Sequence, residues 1–273
     1  MSDPPAESLL DLAISLARQA GDIARAVEGR IEVLRKPDDS LVTETDHTIQ
    51  EHILAAVAEA YPDHAVIAEE PARTSDAHRK LDPSRYTWVI DPLDGTRNFV
   101  AGVPCFATAI AVLDHGRPMV GVVAEHRVGH LYAARLGMGT TMNGRPVRCD
   151  EPDPAADWLL AIPSSKDALA VAVIRRWAAE DGFVTRNLGS MAFHLALTAS
   201  GALTAAFGTR LKIWDLAAGW LLVTEAGGRI TDPFGNPLVP FDLSADPNRD
   251  IPILAAAPNA HARLLETIRS TQA

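Results

Sequence analysis

Four short apolar runs in this chain each end in carboxylates. They are LVTETD (41–46), ending at Asp46; VIAEE (66–70), ending at Glu69 and Glu70; WVIDPLDGT (88–96), carrying Asp91 and Asp94; and IWDLAAG (213–219), carrying Asp215. Strand ends and helix starts are where α/β proteins place binding residues. If the four clusters converge, five or six carboxylates share a small volume, an arrangement too repulsive to persist without cations. All-oxygen ligands suit Mg²⁺, a hard octahedral ion usually held beside a phosphate.

Composition narrows the classes. The chain has 273 residues, 47% apolar and 22% charged, near the soluble globular average and long enough to bury a sizeable core. That apolar content excludes a disordered chain. The net charge of −10 argues against nucleic acid or an anionic membrane surface as partner, since both attract Lys/Arg-rich faces. No stretch approaches the ~20 apolar residues of a bilayer-spanning helix. The N-terminus MSDPPAESLL lacks the basic start and apolar core of an export signal. Cys105 and Cys149 form no CxxC or zinc pattern, and two such thiols point to the cytoplasm and to free thiols.

Hydrophobic spacing and turn signals predict helices at 7–28, 46–60, 167–180, 190–200, 216–226 and 260–270. Strands are expected at 31–34, 65–67, 88–90, 106–113, 118–125, 130–134, 158–162, 183–187, 203–207, 229–231 and 252–256. The three strands within 106–134 read as an antiparallel meander, 37–40 as a turn, and 71–85 as a mobile surface loop. The stretch EPDPAAD (151–157) divides an N-terminal half, 1–150, from a C-terminal half, 151–273, within one compact unit. The pattern is α+β passing into α/β, with a mixed sheet in each half.

Each cluster also has a bland reading. Asp94-Gly95 is a common turn pair, Asp215 fits an N-cap, Thr45 or Asp46 fits the cap of the second helix, and Glu69-Glu70 fits a solvated strand end. His194 reads as a packed core histidine. His126 and His130 flank a hairpin turn with no neighbouring acid or thiol to complete a metal set, and Trp88 and Trp214 are expected to pack strands. The conjunction weighs more. A Gly95-Thr96 step opening a helix offers free amides and a positive dipole end, which suit a phosphate.

Taken together, LVTETD, IAEE (67–70), DPLDGTRNF (91–99) and WDLAAGWLLVTEAGG (214–228) resemble the motifs of the inositol monophosphatase family, in the family's order and across nearly the whole chain. These are Mg²⁺-dependent, lithium-sensitive phosphomonoesterases, related to fructose-1,6-bisphosphatase-like enzymes. The resemblance implies an α+β fold, a layered α/β/α/β/α sandwich, a homodimer, and two or three Mg²⁺ ions per site, with Mn²⁺ as an alternative. It implies that Glu69, Asp91, Thr96 and the Leu93 carbonyl hold one metal, and that Asp91, Asp94 and Asp215 hold a second. Asp46 would pair with Thr96 to ready a metal-bound water for in-line attack, and the Gly95 and Thr96 amides would cradle the phosphate. Glu70 would serve a third, looser metal or support the others.

Three departures bear on substrate. Ala68 replaces a usual glycine, Arg97 follows the Gly-Thr step where inositol-directed members commonly carry Thr, and Gly208 stands where such members place an acid that contacts sugar hydroxyls. The substrate end would be lined by Gly189, Ser190 and Met191, with Arg210 or Lys212 meeting a second anionic group. The small phosphorylated metabolite expected by default is inositol monophosphate, with histidinol phosphate or a 3′-phosphoadenosine phosphate as alternatives. The rivals from other classes are a non-catalytic regulatory protein on the same fold and a metal nuclease, the latter disfavoured by the acidic charge.

Overall fold

The computed structural model describes residues 5–27, 33–35, 41–71, 85–153 and 155–271. The predicted turn at 37–40 and nearly all of the predicted loop at 71–85 lie outside the described residues. The chain opens with helix α1 (Ala6–Ala26), an antiparallel pair β1 (Val33–Arg35) and β2 (Leu41–Thr43), and helix α2 (Glu44–Ala60). Strands β3 (Ala65–Ala68) and β4 (Tyr86–Asp94) follow, then the short helix α3 (Thr96–Ala101). Next come β5 (Ala107–Asp114), β6 (Arg117–Glu125), β7 (His130–Arg135), β8 (Thr140–Met142) and β9 (Arg145–Val147). Strands β3 to β9 form a seven-stranded sheet in sequence order, parallel between β3 and β4 and antiparallel thereafter.

The rest of the chain alternates. It runs β10 (Trp158–Ala161), α4 (Ala168–Ala178), β11 (Phe183–Arg186), α5 (Met191–Ala199), β12 (Ala205–Leu211), α6 (Ile213–Glu225), β13 (Arg229–Thr231), β14 (Ile251–Ala256) and α7 (Pro258–Ser270). The second sheet has five strands in the order β11-β10-β12-β14-β13. Strand β10 is parallel to β11 and β12, and β14 is antiparallel to β12 and β13.

Amphipathicity sorts the helices into layers. Helix α1 buries one stripe, including Leu9, Ala13, Leu16 and Ala20, and with α2 covers one face of the seven-stranded sheet. Helices α4 and α7 also bury single stripes, through Val173 and Trp177 and through Leu264 and Ile268, and cover the outer face of the second sheet. By contrast α5 and α6 are apolar nearly all round, so they are stable only with protein on every side. They lie between the two sheets, α6 packing on β4 to β7 on one side and on β13 and β14 on the other. The result is the layered α/β/α/β/α sandwich. Among the described residues no helix is long and apolar enough to cross a membrane.

Three differences from the sequence reading bear on the acidic residues. Strand β4 does not stop at Ile90 but continues to Asp94, because β5 pairs along its whole length. Helix α6 starts at Ile213 rather than 216, so Asp215 lies in its first turn and is not an N-cap, and Trp214 packs from a helix rather than toward a strand it precedes. The N-cap of α2 is Thr43, not Thr45 or Asp46. Asp46 is the third helical residue of a capping box and bonds back to Thr43.

Gly219 sets how closely α5 and α6 approach. A Cβ there would stand 2.5 Å from Leu195 Cδ1 and 2.6 Å from Leu195 Cβ. Helix propensity favours Ala over Gly by about 1 kcal/mol, but overpacking costs about 1–3 kcal/mol. Leu195 Cβ cannot rotate away, so the clash should win. Gly219→Ala is expected to lower stability by about 1–2 kcal/mol in urea unfolding. An unchanged or higher midpoint would show that the helix pair separates freely.

Candidate metal centre

Two acids three apart on a regular strand point to opposite faces. Asp91 and Asp94 do not, because β4 is bulged between them. Asp91 pairs with Ala109 and Asp94 with Ala107, so Pro92 and Leu93 together oppose the single residue Thr108. The extra residue returns Asp94 to the face that carries Asp91. Within the bulge, the Leu93 amide donates to Asp91 Oδ1 at 3.0 Å.

The third acid arrives from the helical layer between the sheets. Asp215 sits in the first turn of α6, its Oδ2 accepting the Lys212 amide at 2.7 Å. Oxygen atoms of Asp91, Asp94 and Asp215 all lie within 4.8 Å of one another. Asp94 is also held by the start of α5, where the Ser190 hydroxyl donates to its Oδ2 at 2.7 Å and the Ala192 amide at 2.6 Å. Two helix N-termini thus face the cluster with their positive ends. Glu69, just after β3, is hydrogen-bonded through its side chain to Asp91.

Burial and mutual repulsion dominate the electrostatics. Burial, then the charges of Glu69, Asp94 and Asp215, push Asp91 well above the ordinary carboxylate range. Burial and the charge of Asp94 do the same for Asp215. Burial raises Asp94 to about 6 against the lowering effect of Ser190 and Ala192.

Asp46 is fully buried beside this group. Its Oδ2 accepts the Thr43 amide at 2.7 Å and the Thr43 hydroxyl at 2.5 Å, and its Oδ1 accepts the Thr96 hydroxyl at 3.0 Å. Burial, the largest effect, lifts it to about 6 despite those bonds. The Thr96 oxygen also lies 3.1 Å from the Leu93 carbonyl. Gly95 takes a left-handed φ of +92°, and a Cβ there would stand 2.9 Å from the Cys105 carbonyl, so the start of α3 admits only glycine.

The structure therefore brings Asp46, Glu69, Asp91, Leu93, Asp94, Gly95, Thr96, Ser190 and Asp215 into one linked set. Gly189 and Met191 flank Ser190, and Gly189 has a φ of +76°. A Cβ at Gly208 would lie 2.8 Å from Met191 Cε, so the Met191 thioether fills the space in front of Gly208. Arg210 is exposed on β12, its Nε 3.6 Å from Asp250, while Lys212 Nζ bonds Asp250 at 2.7 Å and the Asn248 carbonyl. Glu70 is buried, and its main chain is clamped to α2 by Gln50, which accepts from its amide at 2.9 Å and donates to its carbonyl at 2.6 Å.

Gln50 and Asn98 are among the residues whose roles the sequence reading missed. Asn98 Nδ2 donates to the Cys105 and Leu188 carbonyls, each at 2.6 Å, and so ties α3 to the loop that carries Ser190. The only sequence signals were the position of Asn98 inside DGTRNF and of Gln50 one helical turn beyond Asp46. His194 is buried as expected. Its Nε2 accepts the Leu188 amide at 2.9 Å, and burial lowers it to about 4, so it is a neutral support of the same loop. His126 flanks the β6–β7 hairpin turn as expected, and its ring is buried. Cys105 and Cys149 are free thiols.

Comparison with known proteins agrees with this geometry. The model of the inositol monophosphatase family matches residues 6–273. The Nus factor SuhB of Haemophilus influenzae is 35% identical over 268 residues, 96% of each chain. Inositol monophosphatase 1 of Bos taurus is 32% identical over 252 residues, 89% of this chain and 88% of that protein. Among solved structures, an IMPase of Thermotoga maritima superposes with a TM-score of 0.84 at 28% identity, covering 97% of this chain and 98% of the other. Sequence motifs, layered fold and converging carboxylates thus agree, and the chain belongs to the inositol monophosphatase family.

Proposed function

We propose that this chain is a Mg²⁺-dependent phosphomonoesterase of a small phosphorylated metabolite, with inositol monophosphate as the default substrate. The observation that carries the reading is the convergence of Asp91 and Asp94 from β4 with Asp215 from α6, and Glu69 bonded to Asp91. The donor set fits the ion. It is all oxygen, buried, and self-repelling enough to hold protons well above the ordinary carboxylate range. Glu69, Asp91, Thr96 and the Leu93 carbonyl would hold one ion, and Asp91, Asp94 and Asp215 another, with Glu70 near a third and Mn²⁺ as a substitute. Bound there, the ions would supply Lewis acidity and a water of lowered pKa.

The chain's own groups do the rest. The Gly95 and Thr96 amides precede the first closed turn of α3, and such amides suit phosphate oxygens. The Thr96 hydroxyl has one proton, and with Asp46 ionised it turns to Asp46 Oδ1, which leaves the Leu93 carbonyl available as a ligand. Asp46, poised at about 6, can take up a proton near neutral pH. Gly189, Ser190 and Met191 would line the alcohol half of the substrate, with the Met191 thioether in place of an acid before Gly208. Arg210 would meet a second anionic group, which keeps 3′-phosphoadenosine phosphates as an alternative, and Arg97 after the Gly-Thr step keeps histidinol phosphate as another. The family resemblance supports a lithium-sensitive homodimer, the two unpatterned thiols favour the cytoplasm, and the net charge of −10 argues against a nucleic-acid or membrane partner.

Metal binding must displace protons from the cluster, so it strengthens with pH. Acids whose folded pKa is raised stabilise the metal-free protein at low pH, and that contribution is lost as pH rises through the folded pKa, about 6 for Asp94. The rise in melting temperature on adding Mg²⁺ should therefore grow between pH 5 and 7.5, measured against chelator-treated protein. A rise that is absent or independent of pH counts against the metal centre.

Turnover tests the chemistry. Phosphate release with Mg²⁺ would be compared by kcat/KM for inositol-1-phosphate, histidinol phosphate, 3′-phosphoadenosine-5′-phosphate and glycerol-2-phosphate. Asp94→Asn and Asp215→Asn should each lower kcat by on the order of 10³ with unchanged circular dichroism; near-wild-type turnover in either removes that ligand from the assignment. Arg210→Ala should raise KM only for substrates with a second anionic group, and an unchanged KM throughout removes its role. Release from no substrate, with Mg²⁺ or Mn²⁺, would favour a non-catalytic regulatory protein, the reading suggested by the name of the Nus factor relative.

A further inference from the structure

The bulge that aligns Asp91 with Asp94 takes the Pro92 carbonyl out of the regular ladder, in a fully buried setting. Thr108, the one residue opposite the bulge, donates its hydroxyl to that carbonyl at 2.8 Å. The same hydroxyl lies 2.8 Å from His126 Nε2. A hydroxyl has a single proton, and the Pro92 carbonyl can only accept, so His126 must donate from Nε2 to Thr108. The three groups form a directed chain, His126 to Thr108 to Pro92, with Thr108 and the imidazole both buried.

His126 is held through both its ring and its main chain. His126 follows the end of β6, its ring beside Phe106 at 5.9 Å between centroids, and its carbonyl accepts from Arg25 of α1 at 3.3 Å. Burial and the nearby Arg25 charge keep the ring neutral by lowering it to about 4. The chain therefore runs from the outer helical layer, through the back of the seven-stranded sheet, to Pro92, one of the two residues between the acids. None of these atoms touches the carboxylates.

We propose that Thr108 and His126 are positioning residues of the metal centre, holding the bulge in the register at which Asp91 and Asp94 share one face. The inference rests on the metal-dependent reading above. Strand faces alternate with period 2, so relaxation of the bulge by one residue would turn Asp94 away from Asp215. Loss of the Thr108 hydroxyl leaves the buried Pro92 carbonyl without its donor and removes the restraint on that relaxation.

The test is calorimetric titration of the full chain with Mn²⁺ alone, beside melting in chelator. Thr108→Val keeps the shape and removes the donor, and should weaken Mn²⁺ binding about 10-fold or more, the range for groups that orient metal ligands. Thr108→Ser should restore wild-type affinity. His126→Leu should weaken binding as well, and His126→Gln, which keeps a donor at similar reach, should recover most of it. Wild-type affinity in a folded Thr108→Val, or equal losses in the Val and Ser variants, overturns the proposal, since packing alone would then explain the site. If Thr108→Val does not fold, the His126 pair decides, and unchanged affinity in His126→Leu overturns it. If the wild type binds no Mn²⁺, the metal-dependent reading itself fails and the proposal with it. A wild type that binds Mn²⁺ but releases no phosphate leaves the titration a valid test of positioning.

Discussion

Like charges in a dry place are the constraint around which this protein is organised. Asp91, Asp94 and Asp215 crowd within 4.8 Å, and each is driven upward by burial before any neighbour acts. Such a group persists when every carboxylate is anchored and its charge is relieved by a proton or a cation. The anchors are visible. Asp94 is bonded by the Ser190 hydroxyl and the Ala192 amide, Asp215 by the Lys212 amide, and Asp91 by the Leu93 amide. Most of these donors belong to helix starts, whose unpaired amides would otherwise need water.

Anchoring from helix starts requires that α5 and α6 be rigid and close to both sheets. Their apolar circumference achieves this, since neither has a face that could be turned to solvent. Gly219 lets α6 approach Leu195, and Gly121 on β6 lets the sheet approach the Ala218 carbonyl, where a Cβ would stand 2.7 Å away. The central layer thus transmits the placement of one sheet to the other. Asn98 completes the link at the rim by spanning the Cys105 and Leu188 carbonyls.

Much of this was legible from residue types alone. Acids that end apolar runs, a Gly-Thr step at a helix start and a Ser-initiated helix are local signals, and Asp46, Glu69, Asp91, Asp94, Thr96, Ser190 and Asp215 all fall in the linked set. What escaped was of a different kind. Gln50, Asn98, Thr108 and His126 carry no motif that states their partner, because the first three bond backbone carbonyls distant in sequence and His126 reaches one only through the Thr108 hydroxyl. The extension of β4 through Pro92 was hidden because a proline after a short strand signals a stop, and only pairing with β5 overrides it. The partner of Lys212, Asp250, was equally invisible to local reading.

The sequence by itself determined the alternation of elements, the apolar all-round helices that must be interior, and the acids available for a cation. These are properties of periodicity and residue chemistry, which act over a few neighbouring residues. Tertiary structure alone decided that Asp91 and Asp94 share a face, that Asp215 from the central helix α6 meets them, and that His126 bonds Thr108 behind the bulge. Those outcomes depend on strand register and on packing between layers, where a shift of one residue reverses every side chain and no local signal records the choice.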